Sequence, residues 1–211
     1  MLHLSSIILA GGSSKRFGRP KALVEVLGKP MLSYVYDAAS LISDEVLIVI
    51  SRDMDSSPIE RIASDARIIR ESYEASGPLR AAWEGWKNAK GEGSILLSCD
   101  IPLVSSKLLS ILSETMDDIF DAVIPRWPNG FIEPLYAAYK VEPAFKAATR
   151  TLELGENKFV DMIQKIQRKM YFSTVAIEGI LGSTDTFLNV NNVEDLRRAE
   201  SILRRMRKLN L

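Results

Sequence analysis

The sequence predicts a three-layer α/β/α fold around a central, mostly parallel sheet. Short runs of almost wholly apolar residues recur along it, as strands covered on both faces require. Amphipathic stretches alternate with these runs, which is the pattern of βαβ units. The chain has 211 residues, 46% of them hydrophobic, enough to bury a sizeable core and suited to one α/β domain over 1–211.

The strand candidates are SIILA (6–10), EVLIVIS (45–51), ARIIRE (66–71), SILLSCD (94–100) and DAVIPR (121–126). Helices are expected between them. PMLSYVYDAASLI (30–42) has Pro30 at a first helical position, and GPLRAAWEGWKNA (77–89) puts Leu79, Ala82, Trp83 and Trp86 on one stripe. SSKLLSILSETM (105–116) opens with serine caps. FIEPLYAAYK (131–140) reads as a late strand whose Pro134 marks an edge, a bulge or an irregular start, because proline cannot donate to a ladder. FVDMIQKIQ (159–167) and MYFSTVAI (170–177) follow. The segment 187–206 reads as a strand, a turn and a terminal helix with Leu196, Ala199, Ile202, Leu203 and Met206 as its apolar stripe. The basic run of that helix, Arg197, Arg198, Arg204, Arg205, Arg207 and Lys208, reads as a solvated face.

Charge narrows the function. Lys plus Arg is 27 and Asp plus Glu is 27, so no overall field draws the chain to nucleic acid or membrane, and any anion site must be local. Cys99 is the only cysteine, which excludes an internal disulfide and suggests a reducing compartment. No apolar run approaches the roughly 20 residues that span a bilayer, and the N-terminal stretch lacks the flanks of a signal peptide. A cytoplasmic protein is expected.

The chemistry is concentrated in LAGGSSKRFGRPKAL (9–23). Gly11 and Gly12 let the backbone turn sharply after the first strand and approach a ligand. Outward-facing N–H groups there form a nest for phosphate, with Arg16 and Lys21 adding charge. The P-loop string G-x-x-x-x-G-K-[ST] is absent. The dinucleotide fingerprint G-x-G-x-x-G is absent too, and Pro20 sits where its helix would run. Asp100 ends a buried strand at the edge where ligands of open α/β folds bind. A carboxylate there suits Mg²⁺, which takes one or two carboxylates plus substrate phosphates; the bland alternative is a cap for the helix that follows. Asn189 and Asn191 would share one face of a strand, or belong to an asparagine-rich turn that Asn192 or Asp195 caps. Cys99 reads as small packing with no His partner, and His3 as incidental.

These residues resemble a known signature. LAGGSSKRFGRPKAL is similar to the L-A-G-G-x-S-x-R-M-G-x-D-K of nucleotidyltransferases, and within them to the MobA-like molybdenum cofactor guanylyltransferase family. The likeness continues through LGKPMLSYV, SGPLRAAWEG, LLSCDIPLV, EPLYAAYK, LELGENKFVDMI and FLNVNNVEDL. Pro20 stands where the family has Asp, and Ala81 where it has a second glycine. The resemblance implies the Rossmann-like nucleotide-diphospho-sugar transferase fold and transfer of GMP from GTP to the phosphate of molybdopterin, releasing pyrophosphate. It implies Leu9, Ala10, Gly11, Gly12, Lys21, Glu71, Gly77 and Asp100 at the nucleotide, with Arg16, Lys21 and Asp100 catalytic and Asp100 on Mg²⁺. It places Glu133, Lys158, Asn189 and Asn191 on the acceptor side, and a molybdoenzyme or chaperone as the recipient of product. A relative using CTP or another phosphorylated acceptor, and a nucleotide-binding regulatory domain without turnover, remain alternatives.

Overall fold

The computed structural model describes residues 3–14, 17–72, 77–116 and 119–209. Seven strands form its main sheet: β1 (Leu4–Leu9), β2 (Glu45–Ile50), β3 (Arg67–Arg70), β4 (Gly93–Ser98), β5 (Ala122–Arg126), β6 (Tyr136–Lys140) and β7 (Lys169–Ser173). They lie in the order β7-β5-β6-β4-β1-β2-β3. β6 runs antiparallel to β4 and β5, and every other neighbouring pair is parallel.

The apolar runs became strands because alternate residues serve different cores. Ile8, Ile48, Ile50 and Leu97 enter one core, and Ile7, Leu47, Val49 and Leu96 enter the other. The first core is covered by α1 (Met31–Ser40), α2 (Ser57–Ile62), α4 (Ser106–Met116) and α7 (Thr174–Leu181). The second is covered by α3 (Pro78–Asn88), α5 (Val141–Glu153) and α6 (Phe159–Lys165). This is the expected α/β/α sandwich. α3 sits so close to β1 that a Cβ on Gly85 would lie 2.4 Å from Ile7 Cγ2.

A third, smaller cluster holds the terminal helix α8 (Val193–Leu209) against a hairpin. Glu25–Val26 pair with Lys29–Pro30 across Leu27 and Gly28, both at positive φ as a primed turn requires. Val24, Val26 and Met31 meet Val190 and Ala199 there. Asn192 caps α8 by accepting from the Asp195 N–H at 2.9 Å, and Asp195 accepts in turn from the Asn191 N–H at 2.8 Å.

Several expectations need correction. Residues 188–191 are not a strand; the Asp185–Phe187 turn and the α8 cap leave them as irregular backbone, tied to β4's extension by one bond from the Val190 N–H to the Asp100 carbonyl. Met206 is half exposed and lies off the apolar stripe. Pro30 precedes α1 rather than opening it. Of the three readings of Pro134 the irregular start holds: it lies in an irregular lead into β6, which itself is interior to the sheet. Among the described residues no helix is long and apolar enough to cross a membrane.

Candidate active site

The strand order reverses at β1. β2 and β3 lie on one side of it and β4 on the other, so the carboxyl ends of β1 and β4 bound a crevice where open α/β sheets take ligands. Backbone bonds hold its walls together: the Ala10 N–H donates to the Val49 carbonyl at 2.7 Å, and the Cys99 N–H to the Leu9 carbonyl at 3.1 Å. Leu9 and Ala10 therefore spend these groups on the sheet, and their side chains are buried. The donors that open into the loop come next. Neither the Gly11 nor the Gly12 N–H has a hydrogen-bond partner among the described residues.

Gly11 is required where it stands. A Cβ there would lie 2.7 Å from Glu71 Oε1 and 2.8 Å from Ser51 Oγ. Ser51 donates its hydroxyl to the Gly11 carbonyl. Glu71 is set by its N–H on the Ile50 carbonyl at 3.0 Å, and the next residue, Ser72, donates to Oε1 of the buried Glu84 at 3.1 Å. The ends of β1, β2 and β3 thus converge on Gly11 with Glu71 beside it.

No helix follows β1. Ser13–Ser14 pair with Arg19–Pro20 as a short antiparallel hairpin, which returns the chain to Gly12 and lets the Lys21 N–H reach the Gly12 carbonyl at 3.4 Å. Pro20, with φ −54 and ψ 136, holds the extended entry to that turn. The Lys21 ammonium then reaches across the crevice. It donates to Asp100 Oδ2 at 2.7 Å and to Asn191 Oδ1 at 2.5 Å. Asp100 is 8% exposed, and its Oδ1 accepts from Ser98 Oγ. Ser105, not Asp100, caps α4, accepting from the Leu108 N–H at 3.3 Å.

The remaining expected residues are distributed unevenly. Gly77 has φ +84 and opens α3, its carbonyl accepting from Arg80 and Ala81. Asn189 is exposed and donates to the Phe187 carbonyl at 3.1 Å, so of the two asparagines only Asn191 joins the Lys21 cluster. Lys158 is exposed ahead of α6, and none of its bonds tie it to this cluster. Glu133 lies farther along the same edge and accepts from Trp127 Nε1 at 2.7 Å. Its burial raises the carboxyl above the usual range, against the opposing effect of the Trp127 bond. Arg16 lies outside the described residues.

Cys99 is buried, and that burial, with the Asp100 charge beside it, pushes its thiol far up, which fits packing and not nucleophilic chemistry. Sequence reasoning missed Ser51, Ser98 and Trp127. Ser51 could have been found, because it ends the EVLIVIS strand at the edge already occupied by Gly11 and Asp100.

The donors around the Lys21 ammonium are hard oxygens, a carboxylate and an amide, and they already hold a cation. That chemistry fits Mg²⁺. Among the described residues no three His, Cys, Asp or Glu side chains gather, so Asp100 and Asn191 are the side chains that could hold it.

Residues 6–168 match the family described as the MobA-like NTP transferase domain. This chain belongs to that family. Its reaction class is nucleotidyl transfer. A probable molybdenum cofactor guanylyltransferase of Bacillus licheniformis is 32% identical, covering 92% of this chain and 95% of its own. A protein of the same description from Methanosarcina mazei is 28% identical over 91% of this chain and 88% of its own. Among solved structures, molybdopterin-guanine dinucleotide biosynthesis protein A of Archaeoglobus fulgidus superposes with TM-score 0.79 at 24% identity, covering 95% of this chain and 99% of its own. That likeness carries the nucleotide-diphospho-sugar transferase fold.

Proposed function

We propose that the chain transfers GMP from GTP to the terminal phosphate of molybdopterin, giving the guanine dinucleotide cofactor and pyrophosphate. The observation that carries this reading is the Lys21 ammonium held between Asp100 and Asn191, with the Lys21 backbone bonded to Gly12 of the open glycine loop. The names of the relatives supply the base and the acceptor. In the reaction a phosphate oxygen of the acceptor bonds to the α-phosphorus of GTP, and the bond from that phosphorus to the β-phosphate oxygen breaks. The attacking oxygen is already ionised at neutral pH, so the site has no need of a strong base. Catalysis is positioning and charge stabilisation.

The Gly11 and Gly12 N–H groups hold phosphate oxygens, and Lys21 exchanges its carboxylate for the phosphates as they arrive. Arg16 adds charge from the same loop. Glu71 and Gly77 border the nucleoside. Asp100 and Asn191 hold Mg²⁺, which neutralises phosphate charge when bound. Asn189 and Lys158 lie toward the acceptor. The product passes to a molybdoenzyme or its chaperone.

A thermal-shift panel of GTP, CTP, ATP and UTP, each with Mg²⁺, tests the reading, because a ligand that binds only the folded state raises apparent stability. A Mg²⁺-dependent rise with GTP alone is expected, and it disappears in Asp100→Ala. A preference for CTP would move the chain to cytidylyl transfer with the same residues. No rise with any nucleotide would remove the site.

A further inference from the structure

The hairpin between β5 and β6 carries an aromatic surface that the reaction above does not use. Its register is fixed by three contacts: Arg126 bridges Ile132, the Trp127 N–H donates to the Phe131 carbonyl at 2.8 Å, and the Glu133 N–H donates to the Pro125 carbonyl at 2.9 Å. Directly opposed residues of an antiparallel pair share a face, as do residues two apart. Trp127, Phe131 and Glu133 therefore lie on one face, and the bond from Trp127 Nε1 to Glu133 Oε1 agrees. The Trp127 ring is backed edge-on by Phe187, at 5.7 Å between centroids. Phe131 is 73% exposed, a large apolar ring open to solvent.

One link connects this face to the crevice: Phe187 backs Trp127 and is followed by Asn189 and Asn191, the latter on Lys21. The second carboxyl oxygen of Glu133 has no hydrogen-bond partner among the described residues.

We infer that this face seats the fused ring of the acceptor, with Phe131 and Trp127 against the ring plane and Glu133 Oε2 on its edge of N–H donors. The inference rests on the reading of molybdopterin as acceptor. A 2-amino-4-oxo heterocycle presents an amino group and a ring N–H side by side, which a carboxyl group can accept together. Flat heterocycles stack on exposed aromatic side chains without needing a deep cavity. The ring would sit on the hairpin that Phe187 joins to the Asn191 segment, leaving its phosphate-bearing arm to reach toward Lys21.

The test compares wild type with Phe131→Ala and Glu133→Gln, measuring GMP transfer to molybdopterin and, separately, binding of Mg²⁺-GTP. Phe131 is exposed, so its variant keeps the question open even if Glu133→Gln perturbs the hairpin. We expect the acceptor KM to rise about tenfold in each, from a lost stack and a weakened charge-assisted bond, with the GTP Kd at the wild-type value. Wild-type acceptor KM in both variants would overturn the inference and leave the functional reading standing. No GMP transfer by wild type itself would overturn the functional reading. A rise in the GTP Kd matching the rise in acceptor KM would assign the face to the nucleotide and overturn the inference.

Discussion

At the amino edge of the sheet Glu45 accepts from Ser5 Oγ at 2.7 Å, from the Lys90 N–H at 2.6 Å and from Arg67 at 2.8 Å. Asp121 accepts twice from Arg168, at 3.2 Å and 2.8 Å. At the carboxyl edge, among the described residues, Asp100 accepts from Ser98 and from Lys21, and Glu133 accepts from Trp127. The amino-edge carboxylates are held by backbone and by Arg, groups that do not leave. Asp100 at the carboxyl edge faces an ammonium on a flexible stem, whose charge a phosphate can take over. Carboxylates of one type thus fasten strand ends at one edge and stay open to exchange at the other.

Breaking each edge separately should separate activity from stability. The largest effect is expected for Asp100→Ala, with turnover falling by about 10³ or more through loss of the carboxylate proposed to hold Mg²⁺ and circular dichroism unchanged. Retained turnover in saturating Mg²⁺ would exclude Asp100 from the chemistry. Lys21→Ala should weaken Mg²⁺-GTP binding by about 1–3 kcal/mol, the range for a charge-assisted hydrogen bond, as read by calorimetric titration. Glu45→Ala should do the opposite. Leaving the Ser5, Lys90 and Arg67 donors without their acceptor should cost about 1–3 kcal/mol in urea unfolding, with the GTP Kd unmoved.

The smallest effect is a pH dependence. Glu45 is lowered because its bonds from Ser5, Lys90 and Arg67 outweigh its burial, and Asp121 is lowered chiefly by the Arg168 bond. A lowered carboxyl contributes stability above its unfolded value and loses it as pH falls through the folded one. The Tm should therefore decline below about pH 4, the ordinary carboxylate range, and Asp121→Asn should flatten the decline. An identical acid limb in that variant would remove the Arg168 pair as its cause.

The amino acids made some of this plain and hid the rest for physical reasons. Continuous apolar runs such as EVLIVIS and SILLSCD announced strands buried on both faces, and the Gly11–Gly12 loop and Asp100 announced a crevice between two of them. The hairpin that brings Lys21 back to Gly12 was not visible, because its pairs involve two residues a side and leave no period to read. FLNVN carries the composition of a strand, yet its backbone is claimed by the preceding turn and the α8 cap. Trp127 and Glu133 are six residues apart, and only the Asn129–Gly130 turn brings them together.

The bond from the Val190 N–H to the Asp100 carbonyl, at 2.9 Å, has a consequence for how the protein is made. Synthesis proceeds from the N-terminus, and β1 through β4 emerge long before Asn191. Lys21 and Asn191 are 170 residues apart. Until the 188–191 segment docks, the nascent chain can form the glycine loop and the Asp100 strand but lacks one of the two oxygens that steady Lys21. A chain that stops after β6 would also lack Val190 and Ala199, against which Val24, Val26 and Met31 pack just beyond Lys21.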